Sequence, residues 1–193
     1  MLVPARSDAR TIADLRGRRI AVGSAGSGTE QVARHLFDAA GIDYADVDER
    51  FLSFTESAAA LTDGAIDAAI LSVGYPASAV LEATTTGGAR LLAIDAATAE
   101  AMRQDHPFYT PDTIPAGVYA GQDAAIASVS VMNWVVADAR LDSAVVNSLL
   151  RILDEDREAL RRVAEIAGQI DLRRLADAPI PLHRASAVFL RSR

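Results

Sequence analysis

The chain has 193 residues, enough to bury a sizeable core as one domain or as two small lobes. Half of them are hydrophobic and 23% are charged, which excludes a disordered chain, and a net charge of −7 without a basic cluster among aromatics argues against a nucleic-acid partner. Cysteine and lysine are both absent, all 19 basic residues being arginine, so disulfides, thiolate zinc sites, thiol nucleophiles, a P-loop lysine and Schiff-base chemistry are excluded.

No apolar run approaches the roughly 20 residues that span a bilayer, and Met1-Leu-Val-Pro-Ala-Arg6 does not read as an export signal. Ile20-Ala-Val-Gly23 predicts a short buried parallel strand. A helix is predicted from near Gly28, with Val32, Leu36 and Ala39/Ala40 on its apolar face and Gly41 as a left-handed cap. Glu49 to Phe54 alternates as a strand would, and Thr55 to Asp63 reads as a helix ending at Gly64. Asp67 to Val73 is apolar on both faces, as a covered central strand should be. Pro76 suits the first turn of a helix that runs to Thr86 and stops at Gly87-Gly88, and Arg90 to Ile94 predicts a fourth strand. This strand-helix alternation indicates an α/β layer with right-handed crossovers.

After Asp95 the alternation stops. A short helix is predicted over Ala97–Gln104, followed by Pro107 to Gly117, a loop in which three prolines preclude a regular helix. One long strand is predicted from Ala127 to Ala137, with Trp134 in the core. Helices are expected at Ser143–Leu153 and about Arg157–Ile166, the latter with a Glu158–Arg162 pair, and a short helix closes the chain.

Two constellations point to a ligand. Gly23-Ser-Ala-Gly-Ser-Gly28 is neither the dinucleotide fingerprint nor a P-loop, because Thr29-Glu30 stands where Lys-Ser/Thr is needed. It reads either as a capping box, Ser27 with Glu30, or as a loop whose free amides at a helix N-terminus receive a small anion, and the two are compatible. Gly74-Tyr75-Pro76 follows the carboxyl end of a central strand, where ligands sit in open α/β sheets. It reads equally as an ordinary turn with a packing tyrosine. Phe108, Tyr109 and Tyr119 flank the proline-rich loop, either lining a cleft or anchoring the loop. His35, His106 and His183 show no ligand spacing, and no nucleophile, base and orienting group assemble, so no catalytic residue, metal or cofactor is expected.

The chain resembles the TAXI family of substrate-binding proteins of tripartite ATP-independent periplasmic (TRAP) transporters. The match is carried by Asp14-Leu-Arg-Gly-Arg-Arg-Ile-Ala-Val-Gly23, Gly26-Ser-Gly-Thr29, Gly64-Ala-Ile-Asp-Ala-Ala69, Gly74-Tyr-Pro76, the block from Pro107 to Gln122, and Pro179-Ile-Pro-Leu-His183. The resemblance implies a type II periplasmic-binding-protein-like α/β fold, two lobes closing on a small solute that passes to a membrane permease. It implies one complete lobe at 18–122, an incoming crossover at 1–17, and a return strand and helices at 123–193 belonging to the other lobe. Its expected ligands are glutamate-like amino acids, dicarboxylates or oxo acids. Ser24, Ser27, Gly28, Thr29 and Tyr75 would form one wall, Gly74 and Pro76 its turn, and Tyr109 and Tyr119 a cover. A periplasmic or extracytoplasmic location follows from the same likeness, as does self-association through apolar faces made for the rest of the first lobe. A ligand-sensing effector domain of a regulatory system is the alternative.

Overall fold

Ile20 and Val22 point to one side of the chain and Ala21 to the other, and both sides are covered. In the computed structural model, which describes residues 1–86 and 88–192, all three are buried. The chain forms two units, Met1–Met132 and Asn133–Arg193.

The first unit is built on a five-stranded sheet in the order β3-β2-β4-β1-β5. Its strands are β1 (Leu2–Pro4), β2 (Arg19–Ala21), β3 (Asp48–Arg50), β4 (Ala68–Ala69) and β5 (Ala89–Leu91). β2 pairs parallel with β3 and β4, whereas β1 runs antiparallel between β4 and β5. Helices α1 (Gly28–Ala39) and α4 (Ala96–Asp105) cover one face, burying Ala33, Leu36, Phe37, Ala99 and Met102 against Val3, Ile20, Val22, Ala68 and Ile70. Helices α2 (Phe54–Thr62) and α3 (Ser78–Thr85) cover the other, burying Ala58, Leu61, Val80 and Ala83 against Leu2, Ala21, Ala69 and Ala89. Single alanines on the middle strand let helices approach from both sides, and the sheet is apolar on both faces as a covered sheet must be.

Several elements are shorter than their sequence patterns. Pairing of β4 ends when the Ile70 amide meets the Ala21 carbonyl at 2.8 Å, because the neighbouring chain turns away at Gly23 (φ 91°). The strand expected over Glu49–Phe54 stops at Arg50, where a local motif prevails over the alternation. The Ser53 side chain caps the Glu56 amide, and the Glu56 carboxylate receives the Ser53 amide at 2.8 Å, a capping box that starts α2. Gly41 and Gly64 end α1 and α2 at φ 69° and 73°, as read from the sequence. Of the Gly87-Gly88 stop, Gly87 lies outside the described residues. Pro76 is not in the first turn of α3: it follows a cis peptide bond with Tyr75, and the helix starts two residues later.

The proline-rich stretch is a strand, not a loop. β6 (Tyr109–Ile114) pairs antiparallel with β7 (Ile126–Val131) from Tyr109↔Val131 to Ile114↔Ile126. A two-stranded ribbon leaves each strand an outer edge without a ladder, so Pro111 fits within it. The connection is organised by buried Gln122, whose side-chain amide donates to the carbonyls of Ile114, Pro115 and Ala124 at 3.2, 2.8 and 3.2 Å. β7 ends at Val131 rather than continuing to Ala137, because β6 has no residue before Tyr109 to pair with it.

The second unit holds α5 (Ser143–Glu155), α6 (Arg157–Val163) and α7 (Arg184–Arg191), with two 3₁₀ turns between the last two. Val146, Leu150 and Ala185 form its core with Leu172, Leu175 and Phe189. Val145, Leu149 and Ile152, on another face of α5, are exposed. Glu158 pairs with Arg161 at 3.4 Å rather than with the expected Arg162. Trp134 is half-buried and outside any strand.

Candidate functional site

Adjacent strands β2 and β4 send their following helices to opposite faces of the sheet, α1 to one and α3 to the other. Loops diverging in this way leave a crevice at the carboxyl ends of the two strands, the usual ligand position in open α/β sheets. Residues 22–27 and 70–77 therefore leave the sheet side by side. These two segments carry seven of the expected residues: Ser24 and Ser27 on the first loop with Gly28 and Thr29 opening α1, and Gly74, Tyr75 and Pro76 on the second loop.

The first loop is tightly built. Gly23 turns at φ 91°, and a Cβ there would lie 2.6 Å from Thr29 Cβ and 2.9 Å from Ser27 Oγ. Glycine is required twice over, by conformation and by space. Ser27 is the N-cap of α1, its Oγ accepting from the Glu30 amide at 3.2 Å. The Glu30 carboxylate turns back to the Gly26 amide at 2.6 Å rather than to the N-cap amide of the usual box. Thus the capping reading holds in part, and the protein's own carboxylate occupies one loop amide. Those of Gly28 and Thr29, the first two of α1, meet no protein group among the described residues. Ser24 and Gly28 are exposed, Ser27 is half-buried, and Thr29 is buried.

The electrostatics are set by a neighbouring pair. Arg34 donates to Glu30 through Nε at 3.1 Å and Nη2 at 2.7 Å, and its guanidinium lies 3.9 Å from the centre of the Tyr44 ring. Those bonds, with the Gly26 amide, hold the Glu30 carboxyl below the usual carboxylate range. The charge at the loop is therefore balanced, and a bound anion does not face an uncompensated carboxylate.

On the second loop the Tyr75 hydroxyl reaches the Thr113 carbonyl at 3.5 Å, and burial, with Asp112 nearby, raises its pKa. Tyr119 lies beneath this loop, only 5% exposed, and its hydroxyl accepts the Ala77 amide at 3.1 Å. Ala77 is the N-cap of α3 and has no side chain able to cap, so Tyr119 serves as the helix's remote cap. Burial raises its pKa too. Of the two readings of Tyr119, the hydrogen bond to the Ala77 amide supports the anchor. A Tyr119→Phe variant should lose about 1–2 kcal/mol of stability, from an amide left without its partner. Urea denaturation measures that loss, and an unchanged midpoint would contradict the capping role.

Tyr109 is not brought to the crevice either. It is 2% exposed, and its hydroxyl meets His35 Nδ1 at 2.9 Å on the face covered by α1 and α4. His35 stacks on His106 with ring centres 3.6 Å apart, and burial, then the neighbouring His106, lowers its pKa. The sequence separates these rings by 71 positions, and no spacing rule could have joined them. Among the described residues no cluster of three metal-ligating side chains occurs, and no helix is long and apolar enough to cross a membrane.

Comparison with known proteins follows from this architecture. Residues 1–191 match the NMT1-like family. The periplasmic aliphatic sulphonate-binding protein SsuA from Escherichia coli is structurally similar, with a TM-score of 0.51 at 18% identity over 99% of this chain and 60% of its own. The alkanesulfonate-binding protein SsuA from Xanthomonas axonopodis pv. citri, bound to MOPS, gives a TM-score of 0.47 at 23% identity with the same coverage. This chain spans 60% of the length of each. The expected α/β fold of the type II periplasmic binding proteins is borne out.

Proposed function

We propose that this chain, which belongs to the NMT1-like family, is a non-enzymatic receptor for a small anionic solute, working outside the cytoplasm. The observation that carries the reading is the pairing of β2 with β4, whose following helices pack on opposite faces of the sheet. In this reading the donors to a guest at the carboxyl ends of these strands are the amides of Gly28 and Thr29, which meet no protein group among the described residues, and the hydroxyls of Ser24 and Ser27. Among the described residues no catalytic constellation stands beside them. Neither loop contains an arginine, so in this reading recognition rests on neutral donors and a helix terminus.

A carboxylate of the glutamate or oxo-acid type is the head group the TAXI resemblance favours, with delivery to a TRAP-type permease. The sulfonate named for the SsuA proteins is the competing head group of similar size and charge. In this reading the first unit is the complete lobe and the second contributes to the other lobe, whose exposed apolar stripe at Val145, Leu149 and Ile152 offers a surface for association.

An amide-resolved NMR titration of this chain with glutamate, 2-oxoglutarate and ethanesulfonate tests the site. Saturable shifts centred on Gly28 and Thr29 are expected, with the tightest acid identifying the head group. If no acid moves those amides at millimolar concentration, the receptor reading fails.

A further inference from the structure

The first unit contains nine arginines, and six of them hold a carboxylate within ion-pair distance. The three with no carboxylate partner among the described residues are Arg6, Arg10 and Arg90, and they are gathered on or beside one loop, residues 5–10. Because β1 runs antiparallel, this loop leaves the sheet at the edge opposite the solute loops.

Arg10 and Arg90 are forced close together. Arg10 Nη1 donates to the Ser7 and Ala9 carbonyls at 3.0 and 3.1 Å, and Arg90 Nη2 donates to the same two carbonyls, at 3.3 Å to Ser7. Arg90 Nη1 reaches the Leu91 carbonyl at 3.4 Å. A carbonyl carries only a partial charge, so two full positive charges converge on acceptors that cannot neutralise them. Burial, and then the neighbouring Arg10, pull the Arg90 pKa below its ordinary value. Two nearby carboxylates are already committed, Asp14 also interacting electrostatically with Arg10, and Asp123 lines a pocket with Arg90. Asp8 faces Arg18 at 3.7 Å, and Asp14 accepts the backbone amides of Arg10 and Thr11 and the Thr11 hydroxyl at 2.8, 2.8 and 3.0 Å. Each guanidinium has five N–H donors, and half of the pair's donors meet no acceptor among the described residues: Nε and Nη2 of Arg10, Nε and one Nη1 proton of Arg90.

We propose that Arg10 and Arg90 form a second anion site, distinct from the solute crevice, that takes a tetrahedral, doubly charged oxyanion of the phosphate type. Charge balance selects the class: a carboxylate would neutralise one guanidinium, whereas a phosphate dianion offsets both and accepts from two forks at once. Arg6, exposed on the same loop, adds long-range attraction in a protein whose net charge of −7 otherwise repels anions.

The test is calorimetric titration of the full chain with inorganic phosphate at fixed ionic strength in chloride. One saturable site is expected in the wild type. Arg10→Gln should weaken it about tenfold or more, and Arg90→Lys, which keeps the charge and loses the fork, should weaken it comparably. Ser27→Ala, in the solute crevice, should leave it unchanged. Absence of saturable heat, undiminished binding by Arg10→Gln, or loss of binding in Ser27→Ala each overturns the proposal. Arg10 is exposed, so its variant decides the matter even if Arg90→Lys does not fold. Phenyl phosphate as a second probe distinguishes a phosphoryl group on an organic carrier, which binds tighter, from the free oxyanion.

Discussion

Replacing Gly23 by alanine should destabilise the protein by about 3 kcal/mol and abolish acid binding at the crevice. Two costs combine. An L-residue held at φ 91° is strained by about 1–2 kcal/mol, and the new methyl would lie 2.6 Å from Thr29 Cβ and 2.9 Å from Thr29 Cγ2 and Ser27 Oγ. Neither neighbour is the free end of a flexible side chain. Ser27 caps α1 and Thr29 sits in its first turn, so relief of the clash must displace the two residues that carry the donors. Urea denaturation reads the first effect, and the NMR titration with glutamate, 2-oxoglutarate and ethanesulfonate reads the second. A variant as stable as the wild type, with normal titration, would remove the loop from the site.

The same loop shows why an anion is tolerated beside an acidic side chain. Glu30 shapes the turn through the Gly26 amide, and Arg34 cancels its charge while stacking on Tyr44. The neighbouring amides then keep their positive end free for a guest. The sequence shows Glu30 as the partner of Ser27, and the structure shows it as the loop's internal anion with a built-in counter-ion.

What was legible in the chain was what local rules govern. The glycines that end α1 and α2 and the Ser27 cap follow from conformation and stand where they were expected, whereas the buried face of α1 is Ala33, Leu36 and Phe37 rather than Val32, Leu36 and Ala39/Ala40. The placing of the two site loops on one wall came from the family resemblance alone, and the adjacency of their strands is seen in the β2–β4 pairing. The misplaced elements depend on partners far away in sequence. Val129 decides that Pro111 is in a strand, Tyr109 decides where β7 stops, and Tyr119 caps a helix 42 positions before it. Aromatic residues were the least readable, since Tyr109 and Tyr119 carry no local mark that separates a ligand cover from a buried anchor. Only the hydrogen bonds to His35 and Ala77 do so.

An Asp67→Asn substitution should lower stability by about 2 kcal/mol while leaving solute binding intact. Asp67 Oδ2 accepts the Arg19 amide and Nε, each at 3.0 Å, and Oδ1 accepts Arg19 Nη2 at 2.9 Å, while the same Nη2 donates to the Gly64 carbonyl. These bonds lock the register of β2 against β4 at the end of the strands away from the crevice. Asparagine keeps one acceptor oxygen but loses the charge that strengthens all three contacts. The Arg19 side chain, then its amide, holds the Asp67 carboxyl below the usual aspartate range despite partial burial. With a folded pKa below the unfolded value of about 3.9, the contribution is complete above that pH and disappears as pH falls through the folded value. The stability difference between wild type and variant should therefore be constant from neutral pH down to about 5 and should shrink below about 4. Urea denaturation across that range measures it. A difference that persists undiminished in acid would mean the pair acts through shape rather than charge, and a loss of acid binding in the variant would mean the two ends of these strands are coupled.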